Sequence, residues 1–155
     1  MNIRKATRDD IPQILRLLVQ VNMVHHLGRP DLFKGPATKY DEAQLCELLE
    51  DGTRPVFVCT EDAVVRGYVF CALRETPDSP LLHGHTTLYV DDLCVDETAR
   101  GQGVGRALME HVAALAKERG CHSVTLNVWA CNEGARRFYE TLGMHEQRRT
   151  MELLL

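Results

Sequence analysis

No apolar run in this 155-residue chain approaches the roughly 20 residues that a membrane-spanning helix requires. No basic-then-apolar leader precedes Asn2-Ile3-Arg4, so the expected setting is cytoplasmic. None of the six cysteines lies in a C-x-x-C pair, and the chain is too long and too sparse in cysteine for a small disulfide scaffold. Buried free thiols are the plain reading. The seven histidines lack metal-ligand spacing, which argues against a zinc site. Positive charge is not in excess: 18 Lys and Arg face 22 Asp and Glu, a net charge of −4. That leaves no basic footprint for nucleic acid, and is compatible with a cationic substrate. Repeats, low-complexity tracts and linkers are also missing. What remains, 45% hydrophobic and 26% charged residues, is ordinary globular composition for one domain over residues 1–155.

The most informative segment is Arg100-Gly101-Gln102-Gly103-Val104-Gly105. It follows a strand-like run, Leu88-Tyr89-Val90-Asp91-Asp92-Leu93-Cys94-Val95. It precedes a helical pattern in which Val104, Leu108, Val112 and Leu115 share one face. A strand feeding a glycine-rich turn at a helix N-terminus is an anion-binding device. The first-turn N–H groups lack partners inside the helix, and the helix dipole concentrates positive potential there. Glycines at 101, 103 and 105 remove side chains that would hold a phosphate off the backbone. The dinucleotide fingerprint fails, because the third glycine position falls on Arg106 or Leu108. A P-loop fails because Arg106 and Ala107 follow Gly105.

Arg100-x-x-Gly103-x-Gly105 does match the Arg/Gln-x-x-Gly-x-Gly/Ala signature of the GNAT N-acetyltransferases. A second segment agrees: Ser123 to Trp129 is rich in strand formers, and Asn132-x-x-Ala135-x-x-Phe138-Tyr139 leads into Leu142-Gly143-Met144. Asn132 caps this helix, Ala135, Phe138, Tyr139 and Leu142 share a face, and Gly143 stops it. The opening Ile3 to Asp10 also resembles the family's strand-into-helix start. Residues 22–40 fit least well.

The resemblance implies an α/β fold, a single GNAT-like domain whose mixed, mostly antiparallel sheet is flanked by helices. It implies acetyl-coenzyme A as co-substrate, no metal, and direct transfer to an amine through a tetrahedral intermediate, without an acyl-enzyme. The strand positions facing the pantetheine arm are Leu93, Cys94 and Val95. Arg100, Gly101, Gln102, Gly103, Val104, Gly105 and Arg106 would hold the diphosphate. Asn132 matches the family asparagine on the pantetheine arm, and Tyr139 the tyrosine that protonates the leaving thiolate. Each has a plainer alternative: Tyr139 as a core tyrosine, Asn132 as a cap alone, Arg100 as a solvated charge. Cys94 sits beside the thioester position, but strand alternation gives it a packing role.

An alkylammonium is unreactive at neutral pH, so something must remove a proton. Asp91 and Asp92 stand in a strand that otherwise reads as buried. Simple alternation puts Asp91 with Tyr89, Leu93 and Val95, and Asp92 opposite, which makes Asp91 the candidate base; a bulge would change the faces. A carboxylate held by a neighbouring arginine, with water as the base, is the alternative. Substrate contacts are expected from residues 22–40 and 75–85, with His25, His26 and Phe33 as candidates, and Arg29 and Asp31 as a local ion pair.

The remaining elements read as strand 2–6, helix 9–20, helix 41–50, a hairpin of strands 55–60 and 65–73, a loop 75–84, and a strand 86–95. Residues 145–155 look strand-like, and the apolar Met151-Glu152-Leu153-Leu154-Leu155 invites pairing, including homodimerisation. Two rival functions stay open: a non-catalytic acyl-coenzyme A sensor or partner-binding domain of the same fold, and a nucleotide-binding domain. The acceptor, a small-molecule or peptide amine, is not named by the sequence.

Overall fold

The computed structural model describes residues 1–155. Five strands form one sheet in the order β1-β2-β3-β4-β5: β1 (Asn2–Lys5), β2 (Val56–Glu61), β3 (Val64–Thr76), β4 (His85–Val95) and β5 (Ser123–Leu126). The first three pairings are antiparallel and β4–β5 is parallel. Four helices flank the sheet: α1 (Ile11–Gly28), α2 (Glu42–Glu50), α3 (Val104–Glu118) and α4 (Glu133–Thr141). The expected mixed, mostly antiparallel sheet flanked by helices is therefore present. None of the helices is long and apolar enough to cross a membrane.

Alternation along the strands divides the core into two layers. On one face Ile14, Leu17 and Leu18 of α1 and Leu45 and Leu48 of α2 pack on Val58, Tyr68, Phe70 and Cys94. On the other, Val104, Leu108, Met109 and Val112 of α3 pack on Val69, Cys71, Leu88 and Val90. Local chemistry sets the boundaries. Asp41 and Gln44 cap α2 reciprocally, with Gln44 N–H donating to Asp41 Oδ1 at 2.8 Å. Asp62 and Ala63, both with positive φ, make the two-residue turn of the β2–β3 hairpin. Arg4 binds Asp10 in bidentate fashion at 2.7 and 2.8 Å, joining β1 to the start of α1.

Three expectations need correction. Helix α1 continues to Gly28 rather than stopping near residue 20: nothing in 21–27 breaks a helix, and Arg29 caps it through its N–H to His25 C=O. Strand β3 reaches Thr76, paired with His85, because the β3–β4 ribbon extends past the core and prolines enter only at 77 and 80. Residues 145–155 form no strand within the chain.

Candidate active site

The β4–α3 connection is built around Asp96. Its carboxylate accepts from Thr98 N–H (2.9 Å) and Thr98 hydroxyl (2.7 Å), and pairs with Arg16 of α1. Burial opposes its charge, but these bonds outweigh burial and hold the carboxyl down at about 2. A 3-10 turn, Glu97–Ala99, follows, and Gln102 Nε2 donates to Thr98 C=O at 3.1 Å. The Gln102 side chain thus braces the turn from inside the loop.

Gly101 and Gly103 have φ of +76° and +83°, the left-handed region in which a side chain is strained. A Cβ on either would meet nothing within 4 Å, so the space above both is open. Gly103 is the N-cap of α3 and no side chain caps that terminus. The N–H groups of Val104, Gly105 and Arg106 open the helix with no capping side chain, as an anion site requires. Gly105 has a different reason: a Cβ there would lie 3.0 Å from Phe138 Cζ, so its absence lets α4 approach α3.

The strand leading into this loop is irregular. Phe70 pairs with Asp92 and Cys71 with Val90, so Asp91 is an extra residue, a β-bulge. Leu88 and Val90 before the bulge, and Leu93 and Val95 after it, all belong to the α3 layer. The bulge therefore resets the alternation and turns both carboxylates to the α1–α2 side. Asp91 does not share a face with Leu93 and Val95, as unbroken alternation had it, and Asp92 does not oppose Asp91.

The two carboxylates nevertheless differ. Asp91 accepts from the Tyr40 hydroxyl (2.7 Å) and pairs with Lys39 (3.0 Å), while Arg54 donates to Tyr40 Oη at 3.0 Å. Burial works against its charge, yet Tyr40 and Lys39 prevail and hold it below the usual carboxylate range. Asp92 accepts from the Tyr68 hydroxyl at 3.0 Å. Desolvation dominates there and pushes it up to about 6.

Tyr139 projects from α4, which Asn132 caps by accepting from Ala135 N–H at 3.2 Å. Desolvation, then the negative charge of Asp92, raises the Tyr139 hydroxyl to about 12. Cys94 lies in the α1–α2 core with its Sγ 3.4 Å from Leu17 C=O. Burial pushes this thiol up to about 12, which makes it a packing group rather than a nucleophile.

At the C-terminal end of α1, the His25 and Phe33 rings meet tilted at 5.0 Å, and Phe33 meets Trp129 edge-on at 5.3 Å. His26 uses Nδ1 to bond Phe33 C=O at 2.7 Å, so it fixes the loop after α1. Burial, then Lys39, lowers the His25 pKa.

A model described as the Acetyltransferase (GNAT) family matches residues 21–144. The chain belongs to the GNAT acetyltransferase family. An uncharacterized N-acetyltransferase of Methanocaldococcus jannaschii is 29% identical over 94% of this chain and 61% of its own length. The chain thus spans about three fifths of that relative. A 5-NmdU N-acetyltransferase of the Pseudomonas phage PaMx11 is 29% identical over 91% of this chain and 84% of its own. Among solved structures, a tetramutant protein of Bacillus halodurans superposes with a TM-score of 0.96 at 35% identity, covering all of both chains.

Within this GNAT fold the structure gathers Leu93, Val95 and the 100–106 loop at the end of β4, with Asn132 and Tyr139 on the helix packed beside them. His25 and Phe33 form an aromatic cluster with Trp129. Sequence reasoning missed Tyr40, Lys39, Tyr68 and Trp129. Trp129 carried a weak signal as the lone tryptophan just after a strand. The other three carried none, because their partners lie 24 to 52 residues away.

Proposed function

We propose that this chain transfers an acetyl group from acetyl-coenzyme A to a primary amine of a small molecule or peptide, in the cytoplasm. The observation that carries this reading is the uncapped N-terminus of α3 under two left-handed glycines, at the end of the strand that bears the half-buried carboxylate of Asp92. Backbone N–H groups of 101–106 would hold the diphosphate, with Arg100 and Arg106 beside them. Leu93 and Val95 would offer backbone groups to the pantetheine arm, and Asn132 its amide, whose nitrogen is not used in the helix cap. Acetyl-coenzyme A supplies the activated acyl group.

Of the two carboxylates, Asp92 suits the base. With a pKa near 6 it is ionised at neutral pH, yet basic enough to take a proton from the incoming ammonium directly or through water. Asp91, expected from sequence to be the base, suits a supporting role: its ion pair with Lys39 and bond from Tyr40 tie the 39–54 region to the bulge. Tyr139 keeps its proton throughout the neutral range and can release it to the departing thiolate. Its hydroxyl makes no hydrogen bond within the chain, which favours such a role. His25, Phe33 and Trp129 would wall the acceptor side, with His26 holding Phe33 in place. The two curated relatives described above are named N-acetyltransferases, which favours nitrogen as the acceptor.

Calorimetric titration with acetyl-coenzyme A, together with thiol release over an amine panel, tests the proposal. Micromolar binding with thiol release on one class of amine is expected. No binding would refute the reading of residues 100–106, and binding without turnover on any amine would favour an acyl-coenzyme A sensor.

A further inference from the structure

The α1–α2 core layer does not extend over the whole sheet: it takes Cys94 from β4 and no residue from β5. Leu88 and Val90 of β4, and Val124 and Leu126 of β5, turn to the α3 layer instead. Alternation therefore puts Tyr89 and its β5 partner Thr125 on the opposite, open side. The same rule applied to β3, where Cys71 and Leu73 turn to α3, puts Arg74 on that side too. Asp91 and Asp92 share it, because the bulge turns both of them there.

On this face Arg74 Cζ lies 3.5 Å from the centre of the Tyr89 ring. The Tyr89 hydroxyl accepts from Asn127 Nδ2 at 3.3 Å. Val90 stands opposite Leu126 in the parallel register, so Asn127 is level with Asp91 and the Tyr89 ring leans toward the bulge. The Arg74 backbone pairs with Thr87, four residues short of Asp91, or about 13 Å at the rise of a strand. Stacking on Tyr89 brings its guanidinium to within about 7 Å of the two carboxylates. Lys39 is engaged by Asp91, Arg54 by the Tyr40 hydroxyl, and Arg29 by Asp31 and Glu152. Arg74 has no carboxylate partner and donates no hydrogen bond within the chain, although the ring holds it in place. A stacked guanidinium keeps its in-plane N–H groups free, in the fork that binds a carboxylate or phosphate through two oxygens.

We propose that Arg74 binds an oxyanion of the acceptor, which is a small zwitterion: an amine that carries its own carboxylate or phosphate. The inference rests on the acetyl transfer proposed above and names its acceptor class. The amine faces Asp92, the oxyanion lies on Arg74, and the Tyr89 ring is the floor between them. A separation of about 7 Å fits an amine and an oxyanion joined by a short carbon chain. A neutral-tailed amine leaves Arg74 unpaired, and a diamine sets a second cation against it, so both are disfavoured.

Thiol release from acetyl-coenzyme A tests this with 4-aminobutyrate against butylamine, and with 3-aminopropyl phosphate against propylamine. In at least one pair kcat/KM should be about 10-fold to 100-fold higher for the anionic member, through KM. The pair that responds tells carboxylate from phosphate. Arg74→Gln should reduce that preference to about 3-fold or less, and Arg74→Lys should restore part of it. A second readout needs neither turnover nor a variant. The Arg74 Nε–H resonance of the unaltered protein should shift on titration with the preferred anion and stay in place with the matching alkylamine. Equal rates within both pairs overturn the proposal and leave acetyl transfer standing. A preference that survives Arg74→Gln overturns it, as does an Arg74 resonance indifferent to both anions. No thiol release from any amine, with Arg74 still responding to an anion, refutes the transferase reading and upholds the oxyanion site.

Discussion

Replacing Asp92 by Asn removes the ionisable group while preserving the shape of the side chain and an oxygen for the Tyr68 hydroxyl. The carboxyl stands near 6 in the fold against 3.8 in an unfolded chain, because burial penalises its charged form more than Tyr68 repays. A folded pKa above the unfolded one means that the fold prefers the protonated acid. Below pH 3.8 both states are protonated and Asp92 costs nothing. Between about 4 and 6 the cost grows, and above 6 it is complete. Two pKa units correspond to about 3 kcal/mol. The amide brings two N–H donors into the same apolar surroundings, which costs about 1 kcal/mol. The variant should therefore be about 2 kcal/mol more stable than the parent at pH 8, and about 1 kcal/mol less stable at pH 4. Urea unfolding across pH 4–8 reads the difference directly, and at about 2–4 °C per kcal/mol thermal melts would move visibly. In the same variant kcat/KM should fall by about 100-fold to 10,000-fold, and the rise of activity with pH near 6 should vanish. A stability difference that does not change with pH, or an acidic limb that survives the substitution, would refute the argument that Asp92 is a desolvated carboxylate serving as base.

Tyr139→Phe should lower kcat by about 100-fold or more with little change in acetyl-coenzyme A affinity by calorimetry; loss of affinity with kcat intact would make Tyr139 a binding group only. Gly103→Ala should cost about 1 kcal/mol of stability, since the added Cβ meets nothing but the backbone must stay left-handed, and should weaken acetyl-coenzyme A binding; a neutral effect on both would mean the loop accommodates a different conformation. Asp10 and Asp96 are both held below the usual carboxylate range, so they contribute stability that is present above pH 3.8 and lost as pH falls below it, for Asp96 toward about 2. Stability measured by urea unfolding should decline over that window, and less steeply in Asp96→Asn; a flat profile would count against both pairs. On brief iodoacetamide treatment at pH 8 the exposed Cys131 should alkylate while Cys94 stays intact, read by peptide mass spectrometry. Rapid labelling of Cys94 would mean that its surroundings open to solvent.

Most elements and the glycine-rich loop were legible because their causes are local. Helix faces at Val104, Leu108 and Val112, the Asn132 cap and the glycines at 101 and 103 depend on residues within a few positions of one another. Two motifs in order then specified the fold class. The proposed base was not legible in the same way. Alternation is a local rule, and Asp91–Asp92 is where it fails: an extra residue opposite Phe70 and Cys71 turns both carboxylates to one side. Which of the two keeps its charge easily was decided by partners far along the chain, chiefly Lys39 and Tyr40 for Asp91 and Tyr68 for Asp92. The end of α1 and the strand-like segment 145–155 divide along the same line. Periodicity marks a segment able to be a helix or a strand, and the neighbours that bury it or pair with it determine where it ends and what it joins. The sequence by itself therefore determined the α/β class, the glycine-rich turn before α3 and the helix carrying Tyr139. The tertiary structure decided the bulge, the acidity of each carboxylate and the unpaired edge at β5, because burial and charge act through space between residues that the chain order keeps apart.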